Sequence, residues 1–368
     1  MNDAFYIKRT LSLAKKAVGM TSPNPMVGAV LVKDGEIIAA DFHRKPGTPH
    51  AEALVLSKCG GNAAGATLYV NLEPCCHTDK RTPPCTNAII NAGVRRVVAA
   101  MTDPNPRVSG MGLRELAKAG IEVTSGILEQ EAMRLNEFYI KYITTGKPFV
   151  ILKAAMTLDG KIATPEGRSK WITGEKARRT VHRLRSSVDA VMTAIGTVKA
   201  DDPGLTARIK GGKNPIRIVI DPNLETPLNS KILQTPPETI LVANENSNRQ
   251  RHSEIPGIHI IYFKNKLDLH WLLAKLGERQ ITSVLTEGGS SLNAHVLEDG
   301  IVDKVMFFIA PKIIGGKDSF PVVGGKTFRR LEEAHAIKDV TVKKLGEDIL
   351  IEGYIKNCRH PIKRKNIR

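Results

Sequence analysis

Apolar and polar residues recur along the first part of the chain with the periods of helices and strands. Ile7, Leu11, Ala14 and Val18 have the spacing of an amphipathic helix, which predicts a helix over residues 4–20. After a loop with two prolines, two short apolar runs flank Lys33-Asp34-Gly35 and predict a β-hairpin. These runs are VGAVLV (27–32) and EIIAADF (36–42).

Strands and helices then alternate as far as residue 126. Helices are predicted to begin near His50 and at Cys85, and a third covers residues 112–120. Apolar runs predict the intervening strands at ATLYVNL (66–72), RRVVAAM (95–101) and IEVTSG (121–126). This alternation is typical of a three-layer α/β domain with parallel crossovers.

A second α/β pattern begins after Thr145-Gly146-Lys147-Pro148, which has the composition of a domain joint. We therefore predict two domains, residues 1–146 and residues 147–368. Helices are predicted over residues 171–188, with Thr173 as the N-cap, and over residues 268–280. Strands are predicted at residues 149–156, 215–221, 239–243, 258–263 and 283–287. The chain closes with KVMFFIAPKII and with TVKKLGEDILIEGYI, which predicts a hairpin about Gly346-Glu347-Asp348.

Composition narrows the class of protein. A length of 368 residues, 42% hydrophobic and 25% charged, is ordinary for a globular protein of two domains. No apolar run reaches the roughly 18 residues that a membrane span needs, and the N-terminus lacks a secretory apolar segment. Five cysteines are an odd and clustered set, which argues against a disulfide framework. We therefore expect a cytoplasmic protein with no membrane partner.

The net charge of +17 favours contact with polyanions or phosphorylated molecules. Part of this excess lies in the tail from Lys356 to Arg368, which holds six Lys or Arg and no acid and is interpreted as a solvated or frayed end. Lineage bias and solubility explain the positive net charge as well as an RNA-binding role does. Charge alone therefore leaves both interpretations open.

The most informative motif is His50-Ala51-Glu52, followed 25 residues after the histidine by Cys75 and then by Cys85. One imidazole and two thiolates leave the fourth position of a tetrahedral Zn²⁺ free for water, as in catalytic zinc sites. Zinc lowers the pKa of that water to about 7. A nearby Glu can then carry protons between the water and a leaving amine, which is the arrangement of zinc deaminases.

The second half contains a weaker signal. Glu287-Gly288-Gly289 follows a predicted strand and precedes a predicted helix, so its backbone N–H groups suit a phosphate, although such a pair is more often only a tight turn. No GxGxxG follows the early strands of this half. Other polar residues on predicted loops have ordinary structural explanations when taken singly: Lys153, Asp159, Ser169, Trp171, Arg185, Thr197, Asp201, Asp202 and Arg208.

Taken in order, these motifs resemble those of the bifunctional deaminase–reductase family of riboflavin biosynthesis over almost the whole chain. In the first half, the matching motifs are SPNPMVGAV, HAE, NLEPC, RTPPC and DPNP. In the second half, they are LDGKIA, WITG, GTVKADDP, LTAR, EGG and APKIIGG. The order of the motifs across two domains is far more specific than any one of them.

The resemblance implies a cytidine-deaminase-like three-layer α/β/α domain followed by a dihydrofolate-reductase-like α/β domain. It implies a zinc-dependent deamination of 2,5-diamino-6-(5-phosphoribosylamino)pyrimidin-4-one, and then an NADPH-dependent reduction of 5-amino-6-(5-phosphoribosylamino)uracil to 5-amino-6-(5-phosphoribitylamino)uracil. The cofactors implied are one Zn²⁺ per chain and NADPH. The partners implied are phosphorylated pyrimidines and further copies of the chain, as a dimer or tetramer, with no nucleic acid.

The resemblance also carries site residues over by position. His50, Cys75 and Cys85 resemble the zinc ligands and Glu52 the proton shuttle. The residues that match substrate positions are Asn24, His43, Lys45, Lys153, Ser169, Arg185, Leu205, Arg208 and Glu287. The residues that match NADPH positions are Ala155, Trp171, Thr197, Asp201, Gly289, Ser290, Ser291, Leu292, Asn293, Ala294 and His295.

Three positions depart from the family's pattern. The loop CHTDKRTPP between Cys75 and Cys85 is one residue longer than usual, which affects the pocket rim near Thr78-Asp79. Cys76 stands where Ser is common, and we expect it to point away from the metal because adjacent residues diverge in direction. Pro222 stands where the family often has Ser, so the loss of a hydroxyl there is expected to weaken discrimination of NADPH from NADH.

Three alternatives are weighed against this interpretation. A closed structural zinc site needs a fourth ligand from Cys76 or His77, but Glu52 has no purpose in such a site. A nucleic-acid base deaminase shares the ligand chemistry but usually has Cys-x-x-Cys, whereas nine residues separate Cys75 from Cys85 here. A scaffold or RNA-binding protein derived from a deaminase would not need an intact Glu52.

Overall fold

The structure is a computed structural model that describes residues 2–77, 83–247, 256–325 and 330–356. It divides into two compact units, Met1–Gly146 and Lys147–Arg368. The rim at Thr78-Asp79 lies outside the described residues, as does the basic tail after Lys356. Among the helices that are described, none is both long enough and apolar enough to cross a bilayer.

The first unit contains six described α-helices and five strands. The helices are α1 (Asp3–Ala14), α2 (Ala51–Lys58), α3 (Cys85–Asn91), α4 (Met111–Lys118), α5 (Glu129–Leu135) and α6 (Glu137–Thr145). The strands are β1 (Gly28–Lys33), β2 (Glu36–Phe42), β3 (Thr67–Val70), β4 (Arg96–Ala99) and β5 (Glu122–Ser125). The helix predicted over residues 4–20 ends at Ala14 and continues as one 3-10 turn, Lys15–Ala17.

The five strands form one mixed sheet in the order β2-β1-β3-β4-β5. The predicted hairpin is confirmed, because β1 pairs antiparallel with β2, and the predicted crossovers are confirmed, because β3, β4 and β5 run parallel. Residues 28–32 of β1 are all buried, so both faces of the sheet are covered. Gly28 lets α1 lie directly on β1, since a Cβ there would come within 2.3 Å of the Thr10 carbonyl oxygen.

The second unit contains five described α-helices and eleven strands. The helices are α7 (Glu175–Ser187), α8 (Ile195–Asp201), α9 (Lys231–Gln234), α10 (Leu269–Glu278) and α11 (Ser290–Glu298). The strands are β6 (Phe149–Thr157), β7 (Lys161–Ala163), β8 (Ala190–Ala194), β9 (Ile216–Ile220), β10 (Thr239–Asn244), β11 (Ile258–Phe263), β12 (Ser283–Thr286), β13 (Lys304–Ala310), β14 (Phe320–Pro321), β15 (Ile337–Leu345) and β16 (Asp348–Ile355).

Nine of these strands form a single sheet in the order β11-β10-β9-β8-β12-β6-β13-β16-β15. The first seven strands in this order, from β11 through β6 to β13, are parallel to one another. The last two, β16 and β15, form the predicted closing hairpin, and β16 pairs antiparallel with both β13 and β15. All four residues of β12 are buried, as expected for a parallel strand covered on both faces. The carboxyl end of β12 therefore lies beside the middle of β6, where Thr286 pairs with Leu152, and a ligand site is typical at the carboxyl ends of parallel strands.

Two predictions for this unit were wrong. The helix predicted from residue 171 begins only at Glu175, and its N-cap is Gly174 rather than Thr173. The Gly174 N–H donates to the Asp348 carboxylate at 2.7 Å. A side chain distant in sequence therefore caps the helix in place of a neighbouring residue. The sequence interpretation also missed β8 and α8, which follow α7 almost without a turn.

Candidate active sites

Three segments bring the candidate zinc ligands of the first unit together. His50 is the N-cap residue of α2, Cys75 follows the end of β3 by a short turn, and Cys85 is the first residue of α3. The Thr86 N–H donates to the Cys75 carbonyl at 3.3 Å, which ties the start of α3 to that turn. The start of a helix favours the thiolate form of Cys85, because the helix dipole stabilises negative charge there.

The distances between these side chains fit a tetrahedral metal. His50 Nδ1 lies 3.5 Å from Cys75 Sγ and 3.3 Å from Cys85 Sγ. Zn–N and Zn–S bonds of about 2.0 and 2.3 Å at tetrahedral angles would place N and S about 3.5 Å apart. Within the described ranges this is the one place where three candidate metal ligands lie within 4.8 Å of one another. Cys76 does not belong to this cluster.

Glu52 stands beside the three ligands in the first turn of α2. Its side chain is buried, and its Oε2 has no hydrogen-bond partner in the described part of the chain. Burial raises the pKa of this carboxyl, and the neighbouring Cys75 adds to the rise while the His50 charge opposes it. A buried carboxyl with a free oxygen next to a metal position has the properties of a proton carrier.

His43 and Asn24 line the same region. His43 is buried, and its ring lies 5.3 Å from the His50 ring in an edge-on contact. Its Nδ1 contacts the Pro49 carbonyl at 3.2 Å, so Nδ1 carries the proton and Nε2 accepts from Asn24 Nδ2 at 3.1 Å. Burial lowers the pKa of His43, which keeps this imidazole neutral. Lys45 is exposed in the following loop.

Glu73 fixes the turn that carries Cys75 through hydrogen bonds to a distant segment. The sequence interpretation did not single out this residue. Its carboxylate accepts from the backbone N–H groups of Asp103 and Gly110 at 2.9 Å and of Leu113 at 3.2 Å. Glu73 therefore caps the N-terminus of α4 from a distant segment. The motif NLEPC contained this residue, but only the fold shows what its carboxylate binds.

In the second unit a buried group of charges lies at the end of β12, beside the middle of β6. The Glu287 carboxylate accepts two hydrogen bonds from Arg185, at 2.6 and 2.9 Å, and one from Lys153 Nζ at 3.1 Å. Burial raises the pKa of Glu287, but the charges of Arg185 and Lys153 outweigh it and hold this pKa far below its ordinary value. These three sequence-predicted residues are therefore brought together as one ionised cluster.

A second contact joins two more of the predicted residues. Ser169 donates to the Asp201 carboxylate at 3.0 Å, and the Lys170 ammonium donates to the Asp201 carbonyl at 3.1 Å. Asp201 is the last residue of α8, so the loop before α7 is tied to the end of that helix. Trp171 is 64% exposed, and the Arg178 guanidinium lies over its ring at 4.8 Å.

The predicted turn before α11 is tightly built. A Cβ on Gly288 would come within 2.6 Å of the Leu292 side chain, and a Cβ on Gly289 would lie 3.7 Å from Thr197 Oγ1. Ser290 Oγ and Asn293 Oδ1 are buried and have no hydrogen-bond partner within the described segments. A free hydroxyl at the start of a helix can donate to a phosphate oxygen of a dinucleotide, whereas the Asn293 carbonyl oxygen suits a donor group of the ligand.

The remaining predicted residues are placed in different ways. Leu292 and Ala294 are buried, Ser291 and His295 are exposed, and Ala155 is half-buried in β6. Leu205 and Arg208 belong to a loop that α7 contacts. The sequence interpretation gave Asp159 no role, yet its carboxylate accepts from the N–H groups of Ile314 at 3.3 Å and Gly315 at 2.7 Å.

Comparisons with known proteins agree with this geometry. Residues 1–101 match the family described as the cytidine and deoxycytidylate deaminase zinc-binding region, and residues 148–351 match the RibD C-terminal domain. The riboflavin biosynthesis protein RibD of Actinobacillus pleuropneumoniae is 44% identical over 358 residues, with 96% of this chain and 95% of that protein covered. The corresponding protein of Aquifex aeolicus is 46% identical over 352 residues, covering 95% and 97%.

Solved structures give the same result. Acinetobacter baumannii RibD superposes with a TM-score of 0.88 at 38% identity, covering 96% of this chain and 98% of that one. A Thermotoga maritima protein described as a diaminohydroxyphosphoribosylaminopyrimidine deaminase/5-amino-6-(5-phosphoribosylamino)uracil reductase also gives a TM-score of 0.88, at 39% identity and with the same coverage.

Fold and site together define a zinc-dependent deaminase domain joined to a reductase domain. The predicted fold classes are confirmed. The chain belongs to the RibD family of riboflavin biosynthesis proteins. The predicted pair of activities, with Zn²⁺ and NADPH as cofactors, is confirmed at the level of the family.

Proposed function

We propose that His50, Cys75 and Cys85 hold the zinc of the deaminase reaction and that Glu52 moves its protons. The observation that carries this proposal is the set of Nδ1–Sγ distances, 3.5 and 3.3 Å, beside a buried Glu52 carboxyl with a free oxygen. Zinc bound there supplies Lewis acidity, which makes a hydroxide nucleophile available at neutral pH. Glu52 would accept one proton from the water and deliver it to a ring nitrogen, then take a second proton from the hydroxyl of the tetrahedral adduct and give it to the amino group, which leaves as ammonia when the C–N bond breaks.

The substrate of this unit is 2,5-diamino-6-(5-phosphoribosylamino)pyrimidin-4-one. His43 is neutral and Asn24 has amide groups beside it, so this pair offers hydrogen bonds to a pyrimidine without adding charge. Lys45 is exposed on the adjoining loop and provides a positive charge for the substrate's phosphate. A neutral base pocket with a cation at its rim matches a phosphorylated pyrimidine.

In the second unit, the product of the first reaction is reduced from the ribosyl to the ribityl form. NADPH supplies the hydride. Residues 289–295 and Thr197 form its binding segment, together with Ala155, Trp171 and Asp201. Ser169, Arg185, Leu205, Arg208 and Glu287 hold the substrate. In this proposal Lys153, whose ammonium donates to Glu287 at 3.1 Å, gives a proton to the sugar oxygen as the ring opens.

The test is mass analysis of the products formed from the diaminopyrimidinone phosphate by the purified, zinc-loaded protein, with and without NADPH. Deamination without NADPH, followed by a gain of two hydrogens when NADPH is added, is the expected result. Deamination alone would contradict the assignment of the second unit and direct attention to the turn at Pro222. No turnover of this substrate would overturn the proposal and favour a deaminase of nucleic-acid bases.

We propose further that the chain acts in the cytoplasm as a dimer or tetramer associated through its second unit. Eight of the nine residues of β15, the edge strand of the large sheet, are exposed, and Val340 and Val342 are 51% and 64% exposed. A long exposed edge strand with apolar side chains is a template for pairing with another chain. Light scattering tests this: Val342→Lys should lower the molar mass toward that of one chain, while Val342→Thr should not.

A further inference from the structure

The loop from Leu205 to Arg208, here called the strap, has an energetically unfavourable backbone conformation at two residues. Leu205 has φ 49° and Arg208 has φ 41°, although neither is a glycine. Residues with side chains occupy this left-handed region only when the surrounding structure holds them there. The strap carries two of the proposed substrate residues, so whatever holds its backbone also sets where they lie.

Two side chains of α7 hold the middle of the strap. The Thr206 carbonyl accepts a hydrogen bond from Arg185 Nη1 at 3.1 Å and contacts His182 Nδ1 at 3.3 Å. His182 and Arg185 are three residues apart on the helix, so they lie on the same face. The Ala207 N–H donates to Asn214 Oδ1 at 2.9 Å, which anchors the next peptide group.

The chemistry at His182 is fixed by its partner. A carbonyl oxygen can only accept, so Nδ1 of His182 carries the proton. Burial, together with the nearby Arg185 and Arg208 charges, lowers the pKa of His182, so the ring is neutral and still donates from Nδ1. The contact with Thr206 therefore needs the imidazole N–H and not a positive charge.

Arg185 already has another task, because the same guanidinium binds the Glu287 carboxylate through two hydrogen bonds. Its geometry is thus set by the buried charge cluster at the end of β12. His182 has no such second bond among the contacts found in the described chain, and its side chain faces the strap from the preceding turn of α7. His182 is therefore the side chain of α7 whose contact serves the strap alone.

We propose that His182 is a positioning residue for the reductase reaction, which fixes the strap so that Leu205 and Arg208 meet the phosphorylated substrate. The inference rests on the proposed function of the second unit. It concerns substrate binding rather than hydride transfer, since the hydrogen bond of His182 goes to the strap, which carries two of the proposed substrate residues.

The test compares His182→Leu, which removes the N–H donor, with His182→Asn, whose side-chain amide can donate from nearly the same place as Nδ1. His182→Leu should raise the KM for the ribosylamino substrate roughly three- to tenfold, the value of one hydrogen bond, with kcat and the KM for NADPH within about twofold. His182→Asn should restore most of the loss. Deaminase activity of the same samples should be unchanged.

Hydrogen exchange of the strap gives a second, substrate-independent readout. The amide of Ala207 should exchange faster in His182→Leu than in the unsubstituted protein, and His182→Asn should return it toward that rate. Equal exchange rates, or a fall in kcat and in NADPH affinity together with KM, would overturn the inference. Absence of reductase turnover in the unsubstituted protein would instead refute the proposed function, and the exchange rates would still decide the role of His182.

Discussion

Gly112 lies so close to Pro74 that a Cβ added to it would come within 2.1 Å of the Pro74 carbonyl oxygen. Gly112 is in the first turn of α4, and Pro74 directly precedes the zinc-ligand candidate Cys75. Glu73, the residue before Pro74, caps the same helix. The start of α4 therefore packs directly against the turn that positions the ligand candidate Cys75. Only a glycine fits at position 112.

Gly112→Ala should destabilise the first unit by roughly 1–3 kcal/mol, the usual cost of overpacking, because the obstructing atom is backbone. It should also speed zinc loss to a chromophoric chelator. The control is Gly196→Ala in α8, where an added Cβ meets nothing within 4 Å. The control should leave both measurements unchanged, and equal zinc loss from the two variants would contradict this account of Gly112.

Substitution of Glu52 should separate metal binding from catalysis. Glu52→Ala and the isosteric Glu52→Gln should lower the deaminase kcat by roughly 10²- to 10⁴-fold, because the proton carrier is gone. Both should keep one zinc per chain in metal analysis, since the three ligands are intact. Retained deamination would show that Glu52 is not the proton shuttle.

The adjacent thiols Cys75 and Cys76 form a natural matched pair. Cys75→Ser should remove zinc from the purified protein, whereas Cys76→Ser should retain it, because Cys76 lies outside the ligand cluster. Burial and the nearby Glu115 and Glu73 charges raise the pKa of Cys76, which disfavours its metal-binding thiolate form. Zinc loss from Cys76→Ser would assign this residue a ligand role.

Asp103 should make stability depend on pH. Burial raises the pKa of this carboxyl from 3.8 to about 6, so the folded protein binds the proton more tightly than the unfolded chain. Its contribution to the free energy of unfolding therefore increases as the pH falls from 7 to 5, by about 1 kcal/mol. Denaturant unfolding at the two pH values should show this change relative to Asp103→Asn, and parallel behaviour of the two proteins would disprove it.

Lys153 should matter for hydride transfer more than for cofactor binding. Lys153→Ala removes the ammonium that Glu287 fixes at 3.1 Å, while Arg185 still holds Glu287. We expect single-turnover NADPH oxidation to fall by roughly 10²-fold or more, with the Kd for NADPH unchanged. Lys275→Met, which removes a surface lysine, should alter neither quantity. Weaker NADPH binding in Lys153→Ala would place Lys153 in the cofactor site instead.

Sequence reasoning worked where local patterns decide structure. The apolar runs located β1, β2 and the closing hairpin because alternation and turn residues act over a few positions. The motif also singled out His50, Cys75 and Cys85, whose ligand atoms the structure brings within 4.8 Å of one another. Pattern also placed Glu287 between a buried strand and a helix, as the structure has it.

The sequence interpretation failed where a distant side chain decides the outcome. The start of α7 depends on Asp348, which lies 174 residues from its partner Gly174 in the chain. The capping of α4 by Glu73 and the contact of His182 with Thr206 likewise join separate segments. Such contacts produce no periodic pattern of apolar residues in the sequence. The sequence interpretation also missed β8, because this strand follows α7 almost directly, with no turn residues to separate them.

The three zinc-ligand candidates come from three separate segments of the chain. Zinc binding is therefore coupled to the folding of the first unit. An unfolded chain does not hold His50, Cys75 and Cys85 within 4.8 Å of one another, so zinc binds the folded unit preferentially. The melting temperature of residues 1–146 should therefore rise with free zinc concentration. Calorimetry with and without a chelator should show a transition that moves with the metal, and zinc supply then controls how long this half of the enzyme survives proteases.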